Sequence, residues 1–259
     1  MLSLIQRSDV RSQESTTLPV AANSAETATS QPGSLVTSSG HLSTVFWVKP
    51  RPRSFLWQAV SFAERAVALV LSVASLPVLL CSAAAVAALS RRAPFVAHRR
   101  LGLSGRSIWV WKLRTMWGPC QRLALWPMLF ELLPDTSVPL KKAEGDPRIT
   151  SRFASFLRKY SIDELPQLWQ VVAGQLALVG PRPLTEAEIS RYYGLAMAKT
   201  LLSVKPGITG LWQISGRNRL SYEQRKKLDQ YLLDKWTMAL YLKILWSTLF
   251  CVFTGKNAH

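Results

Sequence analysis

The sequence is poor in acidic residues, with 15 Asp and Glu against 32 Lys and Arg and a net charge of +17. Such an imbalance predicts an anionic partner: a nucleic acid, an acidic membrane surface or a phosphorylated substrate. No recognisable nucleic-acid-binding module is present in the sequence. The hydrophobic fraction of 48% and the 10 Trp residues favour a membrane surface instead. We therefore expect no nucleic-acid partner.

Cysteine is also scarce, and its pattern carries no site. Cys81, Cys120 and Cys251 are far apart and show neither metal-ligand nor redox spacing. Two of them lie in apolar segments, which predicts buried, reduced thiols. The sequence has no internal repeat, and its 259 residues suit one sizeable domain, alone or with an appendage.

The first 48 residues lack apolar periodicity. They are rich in Ser, Thr, Ala and Gln, and such a composition cannot bury enough apolar surface to fold. Residues 1–10 contain no apolar core, and no small-residue cleavage site follows one, so they do not form a signal peptide. We predict a disordered tail over residues 1–48.

One long apolar run follows this tail. Residues 66–89 are 24 uncharged, mostly apolar residues, enough to cross a hydrocarbon layer of about 30 Å. Pro77 lies in the middle and would kink or break a straight helix. Basic residues flank both ends, whereas a simple span should have asymmetric flanks. We predict a helix over residues 49–92 that enters the membrane, bends and leaves on the same side. A buried core helix and a plain span are the alternatives.

A second helix is predicted around two adjacent carboxylates. Apolar residues recur at i, i+3, i+4 and i+7, namely Leu165, Leu168, Trp169 and Val172. The helix should begin near residues 161–163, because Pro166 suits a first turn, and it should end at Gly174. Asp163 and Glu164 then lie at its N-terminus.

Two interpretations of this acidic pair are open. Ser161 and Glu164 fit a capping box, in which acids are stabilised by the helix dipole. Alternatively, the carboxylates hold a divalent metal and the surrounding guanidinium groups hold a phosphorylated ligand. The arginines nearest in sequence are Arg148, Arg152, Arg158 and Arg182.

Four further segments have recognisable patterns. Residues 95–98 and 108–111 are predicted to form a β-hairpin around a Gly-rich turn. Residues 117–140 are expected either at the membrane interface or as a packed surface loop. Residues 221–233 predict a basic helix, with the charges around Arg225 on a solvated face. Residues 236–253 predict an interfacial amphipathic helix.

Four sequence blocks resemble the bacterial sugar transferase family, in the family's order and with its spacing. They are DPRIT at 146–150, SIDELPQL at 161–168, LVGPRP at 178–183 and KPGITGLWQISGRN at 205–218. Members of that family are monotopic polyprenyl-phosphate glycosyl-1-phosphate transferases, and the resemblance, which is to the small form, runs from about Arg53 to the C-terminus. Two positions depart from the family pattern. The family's Ser-Pro pair is interrupted by Leu76, and Tyr241 replaces an acid.

The resemblance implies an α+β, helix-rich monotopic membrane domain with a re-entrant N-terminal helix hairpin, a small β-hairpin and interfacial amphipathic helices. Residues 93–259 would form a catalytic domain on the cytoplasmic face of the bacterial inner membrane. The implied reaction moves a sugar-1-phosphate from a nucleoside-diphosphate sugar, expected to be a UDP-sugar, to polyprenyl (undecaprenyl) phosphate. It implies Mg²⁺ as cofactor and membrane lipid as a further partner.

The resemblance also implies roles for individual residues. Asp163 would be the nucleophile that forms an aspartyl-phosphosugar, with Glu164 as its partner, and both would lie at the metal. The expected phosphate-binding residues are Arg158, Arg182, Lys112, Arg114, Arg148 and Arg217. Two competing functions remain at this point: a membrane-anchored scaffold in which the acids merely cap a helix, and a basic nucleic-acid-binding protein.

Overall fold

The computed structural model describes residues 48–50, 54–116, 129–133, 151–216 and 220–255. Several predictions fall outside these ranges. They concern the tail over residues 1–47, most of the segment 117–140, and the side chains of Arg148 and Arg217. The proposed phosphate contacts of those two arginines therefore stay predictions.

The described chain mixes helices with short strands, as expected for an α+β domain. The helices are α1 (Phe55–Ser90), α2 (Arg152–Lys159), α3 (Gln167–Val172), α4 (Glu186–Glu188), α5 (Gly194–Leu202), α6 (Leu211–Ile214), α7 (Tyr222–Asp234) and α8 (Met238–Thr254). The strands are β1 (Phe95–Leu101), β2 (Ser107–Leu113), β3 (Phe130–Leu133), β4 (Ala177–Val179) and β5 (Gly207–Thr209). Short 3₁₀ turns occupy Leu103–Gly105 and Ile162–Glu164, and a π-helical turn occupies Ile189–Tyr193.

The first helix, α1, is a single helix of 36 residues that continues through Pro77. The structure thus shows one helix here and not a hairpin of two. Within the described residues it is the one helix long and apolar enough to cross a membrane. Near the proline, the hydroxyl of Ser75 donates to the carbonyl of Ser72 at 3.3 Å. The carbonyl that loses its N–H partner at Pro77 is that of Val73, so this bond does not replace the missing donor.

Both halves of α1 pack against the rest of the domain. On the N-terminal side of Pro77, Ala68 is fully buried in a cluster with Val171. On the C-terminal side, Leu79 and Ala83 are buried against Leu113 of β2. Because these contacts occur on both sides of Pro77, the helix lies along the domain over most of its length.

The outer surfaces of α1 and α8 are apolar and exposed. On α8, the side chains of Trp246 and Phe253 are 76% and 79% exposed. On α1, Val70 and Leu80 are 67% and 58% exposed. Apolar surface of this extent marks an interaction with a membrane or a partner. The helix predicted at 236–253 is confirmed as α8, and its interfacial location stays a prediction.

The larger sheet has the strand order β2-β1-β3. The predicted hairpin is confirmed and is longer than expected: β1 and β2 pair antiparallel from Phe95 opposite Leu113 to Leu101 opposite Ser107. The third strand was not predicted. It lies in the segment 117–140, for which we expected an interfacial segment or a surface loop, and pairs parallel with β1, with the Phe130 ring stacked on Phe95 at 5.0 Å.

The smaller sheet brings two of the sequence blocks together. β4 and β5 pair in parallel, and the backbone N–H groups of Gly180 and Gly207 donate to Thr209 and Pro181, both at 2.9 Å. A Cβ atom added at Gly207 would lie 2.1 Å from the backbone nitrogen of Gly180. The blocks at 178–183 and 205–218 therefore meet backbone to backbone, which requires glycine at this crossing.

Within the described residues, a large buried apolar cluster surrounds α5. Its members are Leu101, Leu184, Ile189, Tyr193, Ala198, Leu201, Leu202, Val204 and Leu233. These residues join the end of β1, the segment after β4, helix α5 and the end of α7. The cluster fixes the position of the chain that follows the block at 178–183.

Candidate active site

The two acidic residues lie in the 3₁₀ turn that leads into α3. Asp163 is buried, with 8% of its surface exposed. Ser161, just before the turn, has φ 56°, and its side chain makes no capping hydrogen bond. The capping-box interpretation is therefore wrong, because its serine has a left-handed backbone conformation instead of the extended one that a cap requires.

Helix α3 is held both by its predicted apolar face and by the amide of Gln170. Leu165, Leu168 and Val172 of that face are partly buried against core clusters. Its buried residues are Gln167, Gln170 and Val171, whereas Trp169 is 37% exposed. The side chain of Gln170 accepts from the backbone N–H of Trp111 at 3.0 Å and donates to the carbonyl of Trp109 at 2.6 Å. These bonds cover the outer edge of β2. The predicted glycine at the helix end is confirmed, since Gly174 has φ 75°.

Lys112 and Glu164 meet at this site although they are far apart in the sequence. The Nζ of Lys112, at the end of β2, lies 2.7 Å from Oε1 of Glu164. Each side chain keeps about a third of its surface exposed, 30% for Lys112 and 33% for Glu164. Docking α3 on β2 therefore places a cation beside the acidic pair.

Two other predicted phosphate-binding residues have different surroundings. Arg114 is buried, donates to the carbonyl of Ala93 at 2.8 Å and forms an ion pair with Glu131 of β3. These contacts tie β2 to the third strand and occupy the guanidinium group. Arg158 is half-buried in the last turn of α2, close in sequence to the acidic turn.

Arg182 belongs to a second cluster, built by α6 and α7. Its Cζ lies 4.9 Å from the centroid of the Trp212 ring, and the Cζ of Arg225 lies 5.0 Å from the same centroid. Arg225 is only 9% exposed, so the predicted solvated face is wrong at this position. The sequence contains a pattern that indicates this burial: Arg225 and Asp229 are spaced i, i+4 among the buried leucines of α7.

Burial and the neighbouring charges shift the pKa values of the titratable side chains in this second cluster. Burial, assisted by the charge of Arg182, lowers the pKa of Arg100 on β1 to about 10. Burial raises the pKa of Asp229 to about 7, while the facing charges of Arg182 and Arg225 oppose that rise. Arg100, Arg182 and Arg225 are accompanied by the carboxylates of Glu188 and Asp229. Three cations and two acids leave an excess of positive charge, which suits a phosphate.

The donor set of the acidic turn fits Mg²⁺ only with help from a substrate. Within the described residues, no three His, Cys, Asp or Glu side chains are grouped so that they could hold a metal. Mg²⁺ is commonly held by one or two carboxylates together with substrate phosphates, because it retains part of its water shell. Asp163 and Glu164 can supply those two carboxylates.

Comparison with known proteins gives a consistent family. The model of a family described as bacterial sugar transferase matches residues 57–255. The UDP-galactose-lipid carrier transferase of Erwinia amylovora is 41% identical over 175 residues, covering 64% of this chain and 35% of the relative. The exopolysaccharide production protein ExoY of Rhizobium meliloti is 36% identical over 168 residues, covering 64% of this chain and 72% of the relative.

A third relative extends the comparison. The UDP-glucose:undecaprenyl-phosphate glucose-1-phosphate transferase of Escherichia coli is 34% identical over 189 residues, which is 71% of this chain and 38% of that protein. The chain therefore spans little more than a third of the Erwinia and Escherichia relatives and nearly three-quarters of ExoY.

Proposed function

Because the chain belongs to the bacterial sugar transferase family, we propose that it moves a sugar-1-phosphate from a nucleoside-diphosphate sugar to polyprenyl phosphate. The relatives' names favour a UDP-sugar as donor and undecaprenyl phosphate as acceptor. ExoY's name favours a place early in exopolysaccharide or glycan assembly, at the first step on the membrane. The observation that carries the proposal is the buried Asp163 in a turn whose other acid, Glu164, is paired with Lys112.

The proposed chemistry proceeds in two displacements at one phosphorus atom. A carboxylate oxygen of Asp163 attacks the phosphorus that carries the sugar, the bond to the nucleotide breaks, and a nucleoside monophosphate leaves. The resulting acyl phosphate is attacked by a phosphate oxygen of the polyprenyl phosphate, which releases Asp163 and forms a polyprenyl-diphosphate sugar. Covalent catalysis of this kind divides one difficult step into two easier ones.

The remaining site residues supply charge and position. Phosphoryl transfer depends chiefly on in-line positioning and on neutralisation of charge. Lys112 neutralises Glu164, and Arg158 and Arg182 are assigned to the phosphates of the substrates. Asp163 and Glu164 would hold Mg²⁺ together with the donor diphosphate. When bound, the ion supplies charge neutralisation at the phosphate oxygens.

We propose that α1 is re-entrant and that the domain lies on the cytoplasmic face of the inner membrane. A spanning helix would carry one of its halves away from a domain on one side of the bilayer. Here, residues on both sides of Pro77 pack on the same domain. The exposed apolar surfaces of α1 and α8 would then enter one leaflet, so that the site lies near a lipid phosphate.

The function is tested with purified protein in detergent, Mg²⁺ and undecaprenyl phosphate, using UDP-galactose and UDP-glucose as donors. Wild-type protein should release UMP and form a lipid-linked sugar. Asp163→Asn should abolish both, while Asp234→Asn, at the exposed end of α7, should retain them. With donor alone, the intact wild-type protein should gain the mass of one sugar phosphate. Full turnover by Asp163→Asn would contradict the assignment, and turnover in excess chelator would contradict the metal.

The same assay separates the competing functions. Stable membrane association without turnover of either donor would favour the scaffold. Strongly salt-dependent binding to nucleic acid in the absence of detergent would favour the nucleic-acid-binding alternative.

A further inference from the structure

The second cluster centres on an aromatic ring that two guanidinium groups contact. Trp212, the second residue of α6, is 7% exposed, and Arg182 and Arg225 both lie over its indole. A cation over an indole is attracted by the ring quadrupole, and the attraction strengthens when the pair is removed from water. The orientation of Arg182 is therefore coupled to the position of Trp212.

Backbone contacts fix the distance between the side chains of Arg182 and Trp212. Arg182 follows Gly180 by two residues, and Trp212 follows Gly210 by two residues. A Cβ atom added at Gly210 would lie 2.4 Å from the carbonyl oxygen of Gly180, so the two segments are in direct backbone contact. The start of α6 is thus placed against the segment that carries Arg182.

Helix α7 supports the ring from another direction. The Cζ of Arg225 also lies 5.3 Å from the Tyr222 ring, which stacks on Tyr192 at 3.9 Å. One turn further along, Asp229 is fully buried. Its carboxylate lies near the Tyr193 hydroxyl, but within the described residues neither oxygen accepts a well-formed hydrogen bond. Burial therefore disfavours the charged form of this group more than the facing arginines favour it.

The packing of this cluster is tight and electrostatically costly. The space between its side chains does not admit a water molecule. A buried carboxylate without good hydrogen bonds lowers stability relative to an apolar group of the same size. Groups of this kind are better explained by a functional requirement than by a contribution to folding.

We propose that Trp212 and Arg225 are positioning residues that hold the guanidinium of Arg182 toward the diphosphate of the nucleotide sugar. This inference rests on the proposed function. An arginine fixed in advance loses less conformational freedom when it binds a phosphate, so pre-organisation strengthens donor binding. The contribution should appear in the Michaelis constant (KM) for the nucleotide sugar, because neither Trp212 nor Arg225 is required to touch the reacting atoms.

The test measures kcat and KM for UDP-galactose and UDP-glucose, with undecaprenyl phosphate as acceptor. Arg225→Gln should raise the donor KM about 10-fold, the size expected for a desolvated cation–π contact. It should leave kcat and the acceptor KM within about threefold, because the effect on Arg182 is one of pre-organisation. Arg225→Lys keeps the charge and should recover part of the loss. Lys227→Gln, on the exposed side of the same helix, is the matched control and should behave as wild type.

Variants at Trp212 test the same inference independently of Arg225. Trp212→Phe retains an aromatic face and should bind the donor better than Trp212→Leu. Should Trp212→Leu fail to fold, the pair Arg225→Gln and Arg225→Lys still decides the matter. An unchanged donor KM in Arg225→Gln, or a loss confined to kcat, would overturn the inference while leaving the transferase intact. Absence of turnover in the wild-type protein would overturn the inference and the proposed function together.

Discussion

The hydroxyl of Tyr241 donates a hydrogen bond to Oε1 of Glu64 across 2.8 Å. The same carboxylate oxygen accepts from the backbone N–H of Leu178 at 3.1 Å. One buried acid of α1 thus joins that helix to α8 and to β4. Burial, together with the neighbouring Glu64, raises the pKa of Tyr241, so the hydroxyl remains a donor. The family resemblance places an acid at this position, and tyrosine instead donates a hydrogen bond to the carboxylate.

Tyr241→Phe should therefore weaken the attachment of α1. It removes one donor from a buried carboxylate, and the expected loss in the free energy of unfolding is about 1–3 kcal/mol. The midpoint of thermal unfolding in detergent measures the loss. Tyr231→Phe is the control, since Tyr231 is 37% exposed on α7 and should change the midpoint little. Equal midpoints for the two variants would show that the hydrogen bond contributes nothing.

Lys112 provides a second prediction, at the acidic turn. Lys112→Met should lower kcat by roughly 10-fold, because it removes the cation that pairs with and orients Glu164, at a site too exposed for a larger effect. Lys112→Arg should retain more activity, because the charge is preserved. Lys199→Met, on the exposed surface of α5, controls for the loss of one positive charge. Wild-type kcat in Lys112→Met would restrict the ion pair to a structural role.

The buried Asp229 predicts how stability depends on pH. Burial raises its pKa to about 7, with Arg182, Arg225 and the Tyr193 hydroxyl acting in the opposite direction. Between the ordinary pKa of about 4 and this value, the folded state binds a proton that the unfolded state has lost. The contribution of Asp229 to stability is therefore greatest at low pH and falls as the pH rises toward 7.

Asp229→Asn removes this dependence, because asparagine resembles the neutral carboxylic acid. The difference in the free energy of unfolding, variant minus wild type, should increase between pH 5 and pH 8, by an amount on the order of a few kcal/mol. Parallel unfolding scans over this range measure it. If the variant instead loses stability relative to wild type as pH rises, the arginines stabilise the charged carboxylate more than burial disfavours it.

Local sequence patterns predicted the elements whose partners are near in the chain. The β1–β2 hairpin and helix α7 follow from alternation, turn residues and helical spacing. Long-range contacts were not predictable in this way. The parallel strand β3 and the pairing of Lys112 with Glu164 depend on segments far apart in sequence. On helix α3 the burial of Gln170 was not predicted, because this polar residue is buried by bonding a strand edge.

The path of α1 through the membrane gives the last prediction. Near its start, the Trp57 ring contacts Trp236 at 5.7 Å, and beyond Pro77 Leu79 packs on Leu113. A charged side chain costs roughly 2.5–3.5 kcal/mol at the centre of a spanning helix. We therefore expect the uncharged run at 66–89 to lie in lipid or protein, and the basic flanks at both ends to stay on one side.

Single cysteines at the two ends of α1 test this path. Ser54→Cys and Ser90→Cys, in a background lacking Cys81, Cys120 and Cys251, should both resist a periplasm-restricted thiol reagent in intact cells. Both should react once the membrane is opened, which controls for burial of the new thiols. Both ends are expected on the cytoplasmic side, because retaining Lys and Arg there has the lower electrostatic cost. Labelling of Ser54→Cys from outside, with Ser90→Cys protected, would instead establish a true span and reject the re-entrant path.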